Sequence, residues 1–455
     1  MNSDTRRAGA APPPQAEVLS PQARKAIWGA FFGFFVDNYD IFLPVIALTP
    51  AIVYFIPKST SPTTAAIASA MIFATTLIGR PIGALVFGHL ADTVGRKRVT
   101  VISVTGFGVI TLLMALLPGY ERWGANVIFV FIGLRLIDGI FLGGQYTAAS
   151  PLAIEYCPKA KRGLYGALIQ SASSLGTAAI SLVTLAVLVR FPVTELDSPY
   201  VQWGWRIPFL VGAAMAFALA VYYHRSVEES DVWRKSSRTR APLQALFRRA
   251  NLKSFLQVFV VMTGFWLSLN AALAIMPGLL ASQKGVTGPT LTIALVIAYV
   301  ALAVVYIIGG VISQGIGRRK YLMFSSFASA AFGTFFYYLL IGTPPDGLCT
   351  IVLLTTVTTV LVVAPGAVGT VYVNERFQTG VRASGFGLGY SLAIILPAFY
   401  VFYQTGLAAL MPYKYTVLAL VVIGAVLIFV GAAWGPETKD VDFALLDQPG
   451  KTPPA

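Results

Sequence analysis

GHLADTVGRKR, Gly88 to Arg98, has a looser copy in the same chain: GVISQGIGRRK, Gly310 to Lys320. Gly88, Asp92, Gly95, Arg96 and Lys97 align with Gly310, Gln314, Gly317, Arg318 and Arg319, at an offset near 220 residues. A second pair keeps that offset: Glu155 and Arg162 match Glu375 and Arg382. Each copy of the motif sits in a short polar break between long apolar stretches, so the chain reads as two repeats of similar length.

Composition supplies the solvent. Of 455 residues 56% are hydrophobic and only 11% are charged, with a mean hydropathy of +0.73, whereas soluble domains carry roughly 25% charge. This is an all-α membrane protein. Stretches of about 20 apolar residues suffice to cross a bilayer core, and twelve are present: 25–50, 64–89, 99–118, 124–147, 163–190, 204–223, 253–277, 289–314, 320–341, 349–372, 383–405 and 413–434. The expected organisation is a disordered cytoplasmic tail over 1–24, six spans within 25–223, a cytoplasmic middle loop over 224–252, six spans within 253–435, and a cytoplasmic tail over 436–455. With both termini inside, 25 of the 33 lysines and arginines fall in inside segments and six in outside ones, while Arg80 and Arg135 lie within spans. That bias predicts an inside–inside topology in the cell membrane and accounts for the net charge of +14 without nucleic acid. Cys157 and Cys349, with His89 and His224, are too few for a disulfide framework or a metal site. No phosphate-binding G-x-x-x-x-G-K-[ST] occurs, so an ATP-driven pump is unsupported.

At these motifs the chain resembles the major facilitator superfamily, and more narrowly its metabolite:proton symporters of the organic-acid and osmolyte type. The resemblance rests on GHLADTVGRKR together with RPIGALVFGHLAD (Arg80 to Asp92), RLIDGIFLGGQY (Arg135 to Tyr146), RGLYGALIQ (Arg162 to Gln170), GWRIPF (Gly204 to Phe209) and VEES (Val227 to Ser230). It implies two six-helix halves that rock around a midplane site, a small-molecule substrate that is an organic anion or zwitterion, the proton as coupling ion with no other cofactor, and a monomer. The chain departs from the pattern at Asp138, where a Gln is usual, at Gln145, where a Glu is usual, at Thr93 in place of Arg, and at Gln314 in place of an acid.

Ionisable residues inside spans are costly and read first as functional. FFVDNYDIFLP (Phe34 to Pro44) carries Asp37 and Asp40 three residues apart, on one helix face. Two carboxylates about 6 Å apart repel by roughly 3 kcal/mol at an effective dielectric near 20, unless an arginine lies between them. That suits a group that takes up and releases a proton. The plainer alternative is that both solvate the cytoplasmic half of span one. Arg135 and Asp138 repeat the spacing on span four, either as a structural pair or as a device in which protonating Asp138 frees Arg135 for a substrate carboxylate. Arg80 either faces the anion path or partners a span-one aspartate. No span of the second half carries such a residue, so coupling is expected in the first. Arg206 is marginal, near a span end. Gln145, Tyr146, Gln170, Trp266, Asn270 and Tyr390 are further substrate-contact candidates, each with interhelical hydrogen bonding as its alternative.

Gly88, Asp92, Gly95, Arg96 and Lys97 read as a conformational latch, and so do Glu155 with Arg162 and Glu375 with Arg382, charge pairs on the cytoplasmic side that break as the halves rock. Gly139 with Gly143 and Gly385 with Gly389 have the spacing of close helix contacts. The favoured function is proton-coupled symport by alternating access, not enzymatic chemistry. The alternatives are a proton-linked exporter of drugs or metabolites, whose span five would carry a proline absent from Leu164 to Arg190, and a non-transporting sensor.

Overall fold

The computed structural model describes residues 19–443 apart from 58, 61, 196 and 236–241. The tails expected over 1–24 and 436–455 therefore lie outside the described residues at 1–18 and 444–455. Among the described residues twelve helices are long and apolar enough to cross a membrane: α1 Pro21–Tyr54, α2 Met71–Thr93, α3 Arg96–Ala115, α4 Asn126–Tyr156, α5 Lys159–Arg190, α6 Tyr200–Ser226, α7 Asn251–Lys284, α8 Gly288–Ile316, α9 Arg318–Gly342, α10 Leu348–Glu375, α11 Thr379–Leu407 and α12 Tyr413–Trp434. All twelve expected spans are present. Most run past the limits that hydropathy sets, as α4 does through Glu155, because a helix continues through polar residues beyond the hydrocarbon. No strand occurs among the described residues. The end holding the starts of the odd-numbered helices and the ends of the even-numbered ones carries the lysine- and arginine-rich connections, and is called the basic end below.

Two backbone irregularities lie beside prolines at corresponding places in the two repeats. Ser20 caps α1 by accepting the Ala23 N–H at 3.1 Å. Regular α-helix then holds to Ile41, where Pro44 brings a wide π turn over Pro44–Leu48 and Pro50 a tight 3-10 segment over Thr49–Tyr54. Its counterpart α7 breaks likewise at Asn270–Ala274, just before Pro277. Asp37 and Asp40 thus fall at the middle of α1, beside its break, and not in one half of the span as the solvating alternative requires. The middle segment, read as a plain loop over 224–252, holds short helices at Asp231–Lys235 and Pro242–Leu246.

Packing repeats the symmetry. Between the first six helices and the last six, α2 runs along α11 and α5 along α8, the same two positions of each repeat exchanged. Close approach depends on missing side chains. Gly79 and Gly83 of α2 face the backbone of Leu136 and Ile140, while Gly139 and Gly143 of α4 face the backbone of Thr76 and Arg80, so a Cβ at any of the four would overlap it. The expected Gly139/Gly143 contact is therefore a backbone-to-backbone crossing, and it sets the depth of Arg80 against α4. The second glycine pair differs: Gly389 meets Val258 of α7, but Gly385 meets the Phe377 ring of its own connecting turn.

Overpacking this crossing is expected to cost about 1–3 kcal/mol. Gly143→Leu should lower the unfolding free energy in detergent by that much, whereas Gly133→Leu, at a site where an added Cβ would meet nothing within 4 Å, should leave it unchanged. Equal losses at both positions would show that the crossing has slack.

Candidate functional site

The five charged residues at mid-span in the first half are at most 2% exposed, and each finds a partner. Asp37 Oδ2 accepts from Arg80 Nη2 at 2.9 Å. Asp40 Oδ1 and Asp138 Oδ2 both accept from Arg135 Nη1, at 2.7 and 2.8 Å. The two span-one acids therefore do not confront each other directly; each turns to its own arginine. Thr111 of α3 lies 2.5 Å from Asp40 Oδ2 and 2.9 Å from the Phe107 carbonyl, and the Arg135 guanidinium covers the Phe209 ring of α6 at 5.6 Å. One oxygen of Asp37 and one of Asp138 have no protein partner, and neither does either amide atom of Gln145, which presses on α1 at Gly33.

Arg80 has a different surrounding. Its guanidinium lies 4.6 Å from the Tyr146 ring centroid and 6.0 Å from that of Trp266, so it is flanked by α4 of the first half and α7 of the second. Tyr390 of α11 packs on both rings, at 5.3 Å from Tyr146 and 5.1 Å from Trp266, and Phe386 stacks on Tyr390 at 5.4 Å. Polar contacts join the halves at this level: the Tyr146 hydroxyl with Ser391, and Thr370 donating to Gln170 Oε1 at 2.7 Å. Of the sequence-predicted contact residues, Arg80, Tyr146, Gln170, Trp266 and Tyr390 meet between the halves. Arg135 does not, because its partners all belong to the first half. Asn270 donates to the Pro397 carbonyl at 2.9 Å, inside the second half. Arg206 pins the opposite end, donating to the Tyr54 hydroxyl at 2.8 Å and the Leu117 carbonyl at 2.9 Å; the cleft beside it, about 960 Å³, touches none of the buried acids.

The basic end is closed by contacts that cross between halves. Asp92, at the end of α2, accepts from the Ala383 and Ser384 N–H groups and the Ser384 hydroxyl at 3.2, 2.9 and 2.8 Å, capping the helical start of α11. The equivalent Gln314 accepts from the Gly163 N–H at the start of α5, at 2.9 Å. Gln in place of an acid thus keeps the cap and drops the charge. Gly88 lets α2 lie against Ser384, and Gly95, like Gly317, sits at positive φ in the tight turn. Arg96 pairs with Glu155 and donates to the Thr379 carbonyl at 3.1 Å; Lys97 contributes its N–H to Glu229 Oε2 at 3.1 Å.

The two expected charge pairs are re-paired. Glu155 takes Arg96 and, across the halves, Arg382, not Arg162. Glu375 takes Arg318 at 3.3 Å, not Arg382. Each glutamate ends the fourth helix of its half and is reached by the arginine that starts the third, a juxtaposition invisible in linear spacing. Arg162 is engaged by the chain after α12, donating to the Val441 carbonyl at 2.7 Å, and both Arg162 and Arg382 lie on the Phe443 ring, 3.8 and 3.9 Å from its centroid. The sequence reading also missed Glu229-Ser230 and Glu437-Thr438. Glu229 caps α3 and Glu437 caps α9, while Ser230 donates to Glu155 and Thr438 to Glu375, each at 2.6 Å. The signal was there: a glutamate followed by a hydroxyl residue after the last span of each repeat.

A family model described as the Major Facilitator Superfamily matches residues 30–372. By sequence the chain is 28% identical over 384 residues to an inner membrane metabolite transport protein of Escherichia coli K12, covering 82% of this chain and 85% of the relative. It is 28% identical over 392 residues to the alpha-ketoglutarate permease of the same organism, covering 83% and 86%. In fold it is similar to the proton:xylose symporter XylE bound to 6-bromo-6-deoxy-D-glucose, with a TM-score of 0.76 at 17% identity, over 92% of this chain and 97% of that one.

Cys157 reports on the basic end. It is buried beside these latches, and burial pushes its thiol up to about 12 against the opposing pull of Arg162, so at neutral pH it presents almost no thiolate. In a Cys349→Ser background, which removes the exposed thiol, Glu155→Gln and Phe443→Ala should each raise maleimide labelling of Cys157 by about tenfold as burial is relieved and the thiol falls back toward its ordinary range. Unchanged labelling in both variants would mean that these contacts do not hold the end shut.

Proposed function

The chain belongs to the Major Facilitator Superfamily and is a multi-pass metabolite transporter of the cell membrane, and from that premise we propose that it is a proton-coupled symporter of a small organic anion working by alternating access. Its basic end is assigned to the cytoplasm, because lysine and arginine concentrate there, and the opposite end to the side from which substrate arrives. The names of the sequence relatives, a metabolite transport protein and an alpha-ketoglutarate permease, support an organic acid.

One observation carries the proton: three buried carboxylates, Asp37, Asp40 and Asp138, stand against two buried guanidiniums, Arg80 and Arg135. Such a set carries one net negative charge until a single proton neutralises it. Hydrogen counting supports Asp40 as the acceptor. Thr111 has one hydroxyl hydrogen and two neighbouring acceptors, the Phe107 carbonyl and Asp40 Oδ2; a proton on Asp40 Oδ2 lets the carboxyl donate to Thr111 while Thr111 donates to the carbonyl.

Arg80 is the anion receptor in this reading. It is the basic side chain flanked by both halves at mid-span, whereas Arg135, the sequence favourite, has partners in one half only and serves the proton site. Coupling follows from charge balance. An anion at Arg80 meets a neutral set when the proton is bound and a negative one when it is not. One extra charge at ~10 Å and an effective dielectric near 20 is worth roughly 1.7 kcal/mol, or about 15-fold in affinity. Proton and anion therefore bind together, the latches at the basic end part as the halves rock, and both are released inward.

In proteoliposomes Asp40→Asn, which fixes the neutral state, should abolish uptake driven by an imposed pH gradient and spare counterflow to within about twofold. Undiminished gradient-driven uptake would sink the proton assignment. Substrate efflux under an inward proton gradient would favour the exporter instead.

A further inference from the structure

We propose that the substrate is a monocarboxylate with a flat or cyclic body, and neither a di- or tricarboxylate nor a betaine; the proposal rests on the reading of Arg80 as anion receptor. Three features of the space between the halves lead there. The first is the number of cations. Between the basic-end residues and Lys284 and Lys414 at the opposite end, the spans of the second half contain no lysine or arginine; in the first half Arg135 is enclosed with Asp40 and Asp138 away from the second half, which leaves Arg80, on Asp37, as the one guanidinium at the mid-span surface between the halves. A second carboxylate would be desolvated without a counter-charge, the most expensive state for a buried group.

The second feature is the wall. Tyr146 and Trp266 flank Arg80 from the two halves, and Tyr390 and Phe386 extend the aromatic cluster, with centroid separations of 5.1 to 6.2 Å. The Trp266 indole N–H is already used on the Tyr390 carbonyl, at 2.9 Å, so this ring offers the substrate its face and not a donor. Ring faces reward a flat apolar body, stacked or edge-on, far more than a short aliphatic chain.

The third is the occupant. Clustered aromatic rings suit a quaternary ammonium, but the cation already on these rings is the Arg80 guanidinium, 4.6 Å from the Tyr146 centroid and 6.0 Å from that of Trp266. A betaine would place a second positive charge beside it. A carboxylate is drawn to the same position, and its body then lies along the rings that now pack on Arg80.

The test is titration calorimetry and thermal shift on the purified full chain with benzoate, cyclohexanecarboxylate, propionate, succinate, citrate and glycine betaine, since a ligand of the native state raises its apparent stability. Benzoate or cyclohexanecarboxylate should bind at least about tenfold more tightly than propionate, succinate, citrate or betaine. Trp266→Ala should shrink the preference for ring acids over propionate to under about threefold, a selective loss that general damage to the fold would not produce. Arg80→Gln should lose all the acids. Succinate or citrate binding more tightly than benzoate overturns this substrate class and leaves the anion reading standing. Binding of betaine alone, or of none of the acids, overturns both.

Discussion

A charge taken out of water into the middle of a bilayer has to be met by an opposite charge at hydrogen-bond distance, and that requirement organises the first half of this protein. Placing one guanidinium or carboxylate at mid-span costs about 2.5–3.5 kcal/mol on insertion scales, and five lie here. Their pairing decides which helices touch. Asp37 binds α1 to α2 through Arg80, and Asp40 binds α1 to α4 through Arg135. The glycines at the α2–α4 crossing then bring Arg80 close enough to Tyr146 for its other face to reach the second half. Replacing both partners of one pair by apolar groups would remove the cost of burial as well as the contact, so these pairs are better explained by what they can do than by stability.

At the basic end the same physics operates with a different outcome. Asp92 and Gln314 cap helix starts in the opposite half, and Arg96 and Arg318 reach glutamates that end the fourth helix of each repeat. These contacts are numerous and several cross between the halves, so a rocking of the halves has to part them together. Symmetry is not complete: Arg382 crosses to Glu155, while Arg162 is diverted to Val441 and Phe443. The chain after the last span thereby joins a closure that the repeat alone would build from the two halves.

The legible part of the fold was the part written in periodic or repeated form. Twelve spans follow from runs of apolar residues, and the two-repeat plan follows from GHLADTVGRKR and its copy. Asp92 at a neighbouring helix start and Gly95 in a tight turn were readable because backbone chemistry at a helix end is local. Partner choice was not. Whether Glu155 meets Arg162, seven residues on, or Arg382, in the other half, depends on how α4 and α11 are brought together, and no spacing along the chain encodes that. The depth of Asp37 and Asp40 was legible, because the apolar run 25–50 and α1 have the same centre; what hydropathy did not show is the break beside them, two irregular turns at Pro44 and Pro50.

The halves divide the labour unevenly, and α1 links the division. The first half brings the ionisable groups and the second brings, at the same level, aromatic faces and backbone carbonyls. Asp37 and Asp40 stand one turn apart on α1, beside the point where its regular helix gives way, yet they serve different arginines. One belongs to a cluster enclosed within the first half, the other to the surface where the halves meet. A change of charge at Asp40 is therefore felt at Arg80 through a single helical turn and one ion pair, with no need for a path through the rest of the molecule. Asp138 fits the same logic. Its position beside Arg135 puts the surplus carboxylate on the cluster enclosed within the first half, away from the rings that meet between the halves.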